Sequence, residues 1–212
     1  MVNERFMPLD IIKSNELVSY PAALEFMEER VDGIINSSKR ECLWLLEHEP
    51  LYTYGTSAKQ EDLLSKDFPV YEARRGGEFT YHGPGQRIVY VMLRLEPKDV
   101  RKFVWRLEEV IIETLAHYGI TGERREGRVG IWVINGGREA KIAAIGIRVR
   151  KWVSFHGISI NINPNLAHFK GIVPCGISEY GVTSLEQLLV DIDEEEFDNV
   201  LIDKFIEIFE KK

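Results

Sequence analysis

Three stretches of the chain repeat their apolar residues every three or four positions, which is the spacing of an amphipathic helix. The clearest of them spans residues 99–118 and carries its apolar side chains in one stripe. A second helix is expected over 21–36, where Pro21 suits the first turn. A third is expected over about 194–211, with Asp193 as its N-terminal cap.

The other apolar runs are short and are bounded by charged or turn-forming residues, as strands of a sheet are. We expect strands over 41–48, 87–95, 130–135, 141–150 and 152–163. Gly136 and Gly137 separate two of these runs and mark a turn. Because strands and helices are mixed without strict alternation, the predicted fold class is α+β, a mixed β-sheet flanked by helices. Without repeats or linkers, residues 1–212 are expected to form one domain, with a motif-bearing core over about 10–190.

The composition is that of an ordinary globular protein, with 44% apolar and 29% charged residues among 212. The net charge of −7 argues against general nucleic-acid binding. No apolar stretch approaches the roughly 18 residues that a membrane-spanning helix needs. The N-terminal residues also lack the pattern of a secretory signal. We therefore expect a cytoplasmic protein that does not bind membranes.

Positive charge is nevertheless concentrated in three short groups, at Arg74–Arg75, Arg124–Arg128 and Arg148–Lys151. If these groups converge in the folded chain, they could attract an acidic partner. The alternative is that they are three separate, solvated edges of loops or strands.

Residues 74–86 concentrate four glycines and a proline between two apolar runs, together with Arg75, Tyr81, His82 and Gln86. Glycine lets backbone N–H groups approach a ligand closely. The spacing matches neither a Walker loop nor a dinucleotide-binding fingerprint. The segment is therefore either a ligand-binding loop or a pair of tight turns between strands.

Strict alternation along the strand predicted at 141–150 places Lys141 on the same face as four apolar residues. These are Ala143, Ile145, Ile147 and Val149. A buried lysine is costly unless it is paired. The alternative is a lysine at a strand end whose ammonium group reaches water.

The two cysteines stand in different contexts. Cys42 lies inside the apolar run 41–48 and is expected to pack in the core as a small apolar residue. Cys175 stands between Pro174 and Gly176, in a sequence typical of a rigid turn. Taken alone, Cys175 is either a nucleophile or an ordinary loop thiol.

These segments follow one another in a specific order. RGG-x-x-TYHGPGQ is followed by KIAAIG, then by HG-x-x-x-N, and then by PCGI and TSL. This order resembles the lipoyl (octanoyl) transferase family over about residues 10–190. The resemblance implies transfer of octanoyl from acyl carrier protein to lipoyl domains, the first step of endogenous protein lipoylation. It also implies the fold shared by biotin and lipoate protein ligases.

The resemblance assigns roles to individual residues. Cys175 matches the nucleophile that carries the acyl group as a thioester, and Lys141 matches the lysine that lowers the pKa of this cysteine. Three further segments match the acyl-binding elements of the family. They are Arg75, Gly76, Gly77, Glu78, Phe79, Thr80, Tyr81 and His82; Ala144, Ile145 and Gly146; and Gly157, Ile158 and Ser159. The sequence HGISIN departs from the HGLALN common in the family, so Ile158 and Ser159 could alter the fit of the acyl chain.

The implied chemistry needs a thiolate, because a free cysteine is mostly protonated at neutral pH. A neighbouring ammonium group favours the thiolate by Coulomb attraction. Transfer to an amine then needs a base, for which Lys141 is favoured and His82 is the alternative. His82 is therefore expected either to accept a proton or to orient the substrate.

The acyl tail needs an apolar slot, which Ile145, Ile158 and neighbouring small residues could line. Backbone N–H groups of Gly76, Gly77 or Gly176 are candidates to bind the oxyanion of the tetrahedral intermediates. The resemblance implies no cofactor, and the five histidines have no metal-ligand spacing. The implied partners are octanoyl-acyl carrier protein as donor, and lipoyl domains of 2-oxoacid dehydrogenase complexes and the glycine cleavage H protein as acceptors.

Three other functions remain open at this point. An ATP-dependent lipoate or biotin protein ligase would share the fold but would not need a cysteine nucleophile. A cysteine hydrolase could pair Cys175 with His82 or His156 and would turn over without an acceptor protein. A non-enzymatic adaptor could bind acyl carrier or lipoyl domains through the basic groups.

Overall fold

The computed structural model describes residues 9–173 and 180–210. Within these ranges the chain forms three α-helices and eleven strands. In chain order they are β1 (Asp10–Lys13), α1 (Tyr20–Ile35), β2 (Cys42–Leu46), β3 (Leu51–Tyr54), β4 (Val70–Glu72), β5 (Thr80–His82), β6 (Gln86–Met92), α2 (Val100–His117), β7 (Glu123–Arg125), β8 (Arg128–Asn135), β9 (Arg138–Arg150), β10 (Val153–Asn161), β11 (Gly181–Val182) and α3 (Glu194–Glu210).

The strands form two sheets. The larger has the order β1-β2-β6-β10-β9-β8-β7, with β11 pairing parallel to β9 at one end of that strand. The smaller has the order β4-β3-β5. Parallel and antiparallel pairs occur in both sheets, so the predicted α+β class with a mixed sheet and flanking helices is confirmed.

All three predicted helices are present, and their ends lie within one residue of the predicted positions, except that the predicted end at residue 211 lies outside the described residues. The predicted cap is confirmed, because the Asp193 carboxylate accepts a hydrogen bond from the Glu196 backbone N–H at 2.8 Å. The five predicted strands correspond to β2, β6, β8, β9 and β10. The pattern did not predict the six short strands, since two to four residues are too few to show a period.

Alternating side chains of the larger sheet pack into two cores on its two faces. Leu43 and Leu45 of β2 join the core that is covered by α2 and α3. Cys42 and Trp44 join the other core, which is covered by α1. Cys42 is fully buried, as predicted, and burial raises the pKa of its thiol to about 11, so this sulfur remains protonated and unreactive at neutral pH.

A β-bulge in β9 changes which face of the sheet Lys141 occupies. Ile131 of β8 pairs with Ala143, but the next residue, Trp132, pairs with Lys141, so Ile142 is the extra residue. Ile131 and Ala143 lie in the core beneath α2 and α3, whereas Lys141 contacts Trp132 on the opposite face. The prediction that Lys141 shares a face with Ala143 was therefore wrong, because strict alternation does not hold across a bulge.

Within residues 9–173 and 180–210, no helix is long and apolar enough to cross a membrane. The same part of the chain contains no group of three or more His, Cys, Asp or Glu side chains that could hold a metal ion.

Replacing Leu107 by alanine should lower the free energy of unfolding by roughly 2–5 kcal/mol, because this fully buried α2 side chain would leave a cavity in the core. Urea unfolding followed by circular dichroism measures the difference. The matched control is Leu64→Ala, whose side chain is 62% exposed and should change stability by less than about 0.5 kcal/mol. Equal effects of the two substitutions would contradict the assignment of this core.

Candidate functional site

The face of the larger sheet that carries Lys141 and Trp132 borders a cavity of about 260 Å³. The smaller sheet, the start of α1 and strands β6, β8, β9 and β10 supply its walls. Most residues of the predicted acyl-binding segments line this single cavity together with Lys141. They are Arg75, Gly77, Glu78, Phe79, Thr80, His82, Ala144, Ile145, Gly146, Gly157, Ile158 and Ser159. The fold therefore brings together segments that are separated by up to about 80 residues in the sequence.

Two predicted site residues, Gly76 and Tyr81, do not line the cavity, and two others lie outside the described residues. The Gly76 N–H donates to the Ile147 carbonyl at 3.1 Å and thereby ties the glycine-rich segment to β9. Gly76 is thus not available as the oxyanion donor that the sequence suggested. The Tyr81 hydroxyl lies 2.8 Å from His168 Nδ1, in a separate aromatic core. Cys175, like Gly176, lies outside the described residues.

Arg75 organises the glycine-rich segment from within. Its side chain is 8% exposed, and its guanidinium donates to the Thr53 hydroxyl at 2.9 Å and to the carbonyls of Gly76 and Glu78 at 3.0 and 3.1 Å. These bonds tie two carbonyl groups of the turn and a side chain of β3 to one guanidinium. The segment is therefore a loop built around a buried cation beside the cavity, rather than only a pair of turns.

Two glycines make room for this arrangement. A Cβ at Gly146 would lie 2.7 Å from the Cδ of Arg75, so a larger residue would push the arginine aside. A Cβ at Gly157 would lie 2.1 Å from the Val89 carbonyl oxygen, where only backbone could move. Close approach therefore explains both glycines.

Ile145 and Ile158 border the cavity, but their side chains lie on the other face of the sheet. Ile158 belongs to the core beneath α2 and α3, and Ile145 packs against that core. Their pairing partners fix the alternation, since Ala144 lies opposite Ser159 and Gly146 opposite Gly157 in the register of β9 and β10. The cavity-facing side of these strands therefore presents small residues rather than the two isoleucines.

Lys141 is buried in the cavity wall at 8% exposure, so the alternative of a lysine reaching water at a strand end is wrong. Its Nζ lies 4.9 Å from the centroid of the Trp132 ring. The guanidinium of Arg128 lies 4.5 Å from the same ring and 4.1 Å from that of Tyr180. Aromatic faces attract cations in this geometry. Sequence analysis did not predict Trp132, because its place opposite Lys141 depends on the bulge.

Buried histidines surround one end of the site. Burial lowers the pKa of His48 to about 4. Burial, assisted by the Arg75 guanidinium, lowers the pKa values of His82 and His156 to about 3. All three rings are therefore neutral at neutral pH. The Nε2 atom of His156 lies 3.3 Å from the Tyr20 hydroxyl, another cavity-lining group that the sequence did not indicate.

Several arginines of the basic groups noted in the sequence form ion pairs within the chain. Arg124 donates to the Glu108 carboxylate at 3.0 Å. Arg148 and Arg150 donate to the two carboxylate oxygens of Glu28 at 3.0 and 2.7 Å. Because carboxylates of the same chain partly neutralise these groups, their attraction for an acidic partner is reduced.

Comparison with known proteins agrees with this geometry. A family model described as the lipoyl protein ligase A/B catalytic domain matches residues 19–206. An octanoyltransferase from Bartonella quintana (strain Toulouse) is 56% identical over 214 residues, which cover 95% of this chain and 87% of that protein. An octanoyltransferase from Rhodospirillum rubrum is 59% identical over 196 residues, which cover 91% of each.

Solved structures share the fold at low sequence identity. A bi-partite lipoate protein ligase from Thermoplasma acidophilum superposes with a TM-score of 0.70 at 17% identity, covering 97% of this chain and 85% of that one. A biotin protein ligase from Aquifex aeolicus gives 0.53 at 14% identity, covering 97% and 72%. These matches confirm the fold that the motif order implied. The sequence matches go further and show that the chain belongs to the octanoyltransferase family, whose catalytic domain is that of lipoyl protein ligases A and B.

Proposed function

We propose that this octanoyltransferase holds the octanoyl group as a thioester on Cys175 and passes it to the Nε of a lysine on a lipoyl domain. The observation that carries the proposal is the burial of Lys141 in the wall of a cavity lined by the three acyl-binding segments. Tyr180, which follows Cys175 by five residues in the sequence, packs against Trp132 with ring centroids 5.5 Å apart. Val182 pairs directly with Lys141.

In the first step the Cys175 thiolate attacks the carbonyl carbon of the donor thioester. The new S–C bond forms, the S–C bond to the carrier breaks, and the departing carrier thiolate takes a proton from the Lys141 ammonium. One thioester replaces another, so no ATP is required. The Lys141 ammonium favours the attacking thiolate by Coulomb attraction, which a buried site screens less than water does.

In the second step the acceptor lysine arrives as an ammonium group and gives one proton to the neutral Lys141 amine. The free amine attacks the acyl carbon, the C–N bond forms, the C–S bond to Cys175 breaks, and the second proton leaves to solvent. This sequence restores the thiolate and the Lys141 ammonium. His82 is a poorer candidate for the base, because a pKa of about 3 makes it a weak proton acceptor at neutral pH.

The proposed donor is octanoyl-acyl carrier protein. The proposed acceptors are lipoyl domains of 2-oxoacid dehydrogenase complexes and the glycine cleavage H protein. The cytoplasmic location expected from the sequence stays a prediction.

Incubation with octanoyl-acyl carrier protein should yield a protein heavier by one octanoyl group, and hydroxylamine should remove that group. Intact-protein mass spectrometry measures the adduct. Cys175→Ala should abolish it, whereas the matched control Cys42→Ala should retain it, because Cys42 is buried and protonated. An adduct that persists in Cys175→Ala would refute the proposed nucleophile.

Transfer to a lipoyl domain should proceed from the carrier thioester without ATP, and free octanoate should not serve as donor. The measurement is the mass of the lipoyl domain after reaction with each donor, with and without ATP. Strict ATP dependence would favour the ligase activity of the structurally similar proteins instead.

Lys141→Ala should slow alkylation of Cys175 at neutral pH on the order of tenfold or more, because the thiolate loses its ammonium partner. The rate with iodoacetamide is best measured in a Cys42→Ala background. Lys102→Ala, which removes an exposed lysine of α2, serves as the control and should alkylate at the parent rate. An unchanged rate in Lys141→Ala would remove this residue from the activating role.

A further inference from the structure

A line of buried side chains connects His82 to the backbone next to β11. The Thr183 carbonyl accepts a hydrogen bond from Asn161 Nδ2 at 2.9 Å, and Asn161 Oδ1 accepts one from Gln86 Nε2 at 2.8 Å. Gln86 Oε1 lies 2.6 Å from His82 Nδ1. Gln86 and Asn161 are 1% and 4% exposed, so solvent does not compete for these bonds.

The Thr183 carbonyl determines which atom donates and which accepts in every hydrogen bond of this line. The Thr183 carbonyl can only accept, so the amide nitrogen of Asn161 must face it and the amide oxygen of Asn161 must face Gln86. The amide nitrogen of Gln86 must then donate to Asn161, which leaves its oxygen facing His82. The proton of neutral His82 is therefore on Nδ1, and Nε2 carries a lone pair.

The same backbone unit also fixes Lys141 relative to His82. The Thr183 N–H donates to the Lys141 carbonyl at 3.0 Å, while the Thr183 carbonyl begins the line that ends at His82. His82 and Lys141 both line the cavity. The backbone of Lys141 and the ring of His82 are thus linked through the same residue, Thr183.

The lone pair at His82 Nε2 can accept a hydrogen bond from an N–H or O–H group in the cavity. An octanoyl chain carries no such donor, whereas the attacking amine of the acceptor lysine carries two N–H bonds. We propose that Gln86 and Asn161 are positioning residues that lock His82 with its proton on Nδ1, so that Nε2 accepts a hydrogen bond from the acceptor amine and orients it during the second step. This inference rests on the proposed function and goes beyond it by separating orientation by His82 from proton transfer by Lys141.

The pKa of His82, lowered to about 3 mainly by burial, agrees with this role, since an imidazolium ring would have no lone pair to offer. The titratable and charged groups that act on His82 are His48, Arg75 and His156, and each disfavours its protonation.

The first test compares Gln86→Leu, which removes the acceptor of the Nδ1 proton, with Gln86→Glu, which keeps an acceptor there. Single-turnover experiments measure formation of the acyl-enzyme and its transfer to a lipoyl domain separately. Gln86→Leu should leave acyl-enzyme formation unchanged and slow transfer roughly 10–100-fold, the effect that losing an orienting partner has for metal-bound histidines. Gln86→Glu should transfer faster than Gln86→Leu at neutral pH.

Gln86→Glu also supplies a signature that a merely structural role would not produce. A carboxylate beside Nδ1 raises the pKa of His82, so transfer by this variant should decline on the acid side at a higher pH than in the parent enzyme. Gln187→Leu is the matched control, because it removes an exposed amide that contacts the Thr183 hydroxyl but lies outside the line to His82. Its transfer rate and pH profile should equal those of the parent.

A second measurement does not depend on any variant folding. Nitrogen-15 NMR of the histidine rings in the unmodified enzyme should show His82 at neutral pH protonated on Nδ1 only. A His82 ring protonated on Nε2 would overturn the inference, as would transfer at the parent rate by Gln86→Leu. If the parent enzyme forms no acyl-enzyme at all, the proposed function itself fails, which is a different result from failure of the transfer step alone.

Discussion

The chemistry proposed for the cavity depends on the position of the Lys141 ammonium group. One extra residue in β9, Ile142, turns this side chain out of the core beneath α2 and α3 and into the wall of the cavity. There the face of Trp132 accepts the cation at 4.9 Å, in a setting where a charge without favourable contacts would be costly. A bulge that re-aims one side chain is a common device beside active sites, and here it converts a core position into a site position.

The second buried cation, Arg75, has a different task. Its guanidinium donates hydrogen bonds to carbonyl groups of the glycine-rich loop and of β3, and these bonds hold the loop in place. It also disfavours protonation of His82 and His156. The site therefore combines two fixed positive charges with neutral imidazole rings. In such a setting the neutral rings are available as hydrogen-bonding groups, and in the proposed mechanism the lysine moves the protons.

Much of this architecture could be predicted from the sequence, and the failures have identifiable causes. The three helices and the long strands have enough residues for their periods to be visible, and Cys42 stands in an unmistakable apolar run. The motif order placed the loop at 75–82 and the strands at 144–146 and 157–159 around one ligand, and these segments do border one cavity. The face of Lys141 was misassigned because a bulge leaves no trace in hydrophobic alternation. Ile145, Ile158 and neighbouring small residues were expected to line the slot. The small residues face the cavity, whereas the two isoleucine side chains pack on the core side of the sheet.

Gly146 and Gly157, which lie close to Arg75 and to the β6 backbone, also limit which substitutions the cavity can accept. Neither position can be enlarged without displacing a buried cation or a strand, so the floor between β9 and β10 has a fixed depth there. Ala144 and Ser159, paired across the same two strands, already carry a Cβ and face the same space. If this cavity holds the acyl chain as proposed, added bulk at these two positions would shorten the chain that fits, whereas Gly146 and Gly157 are best left unchanged.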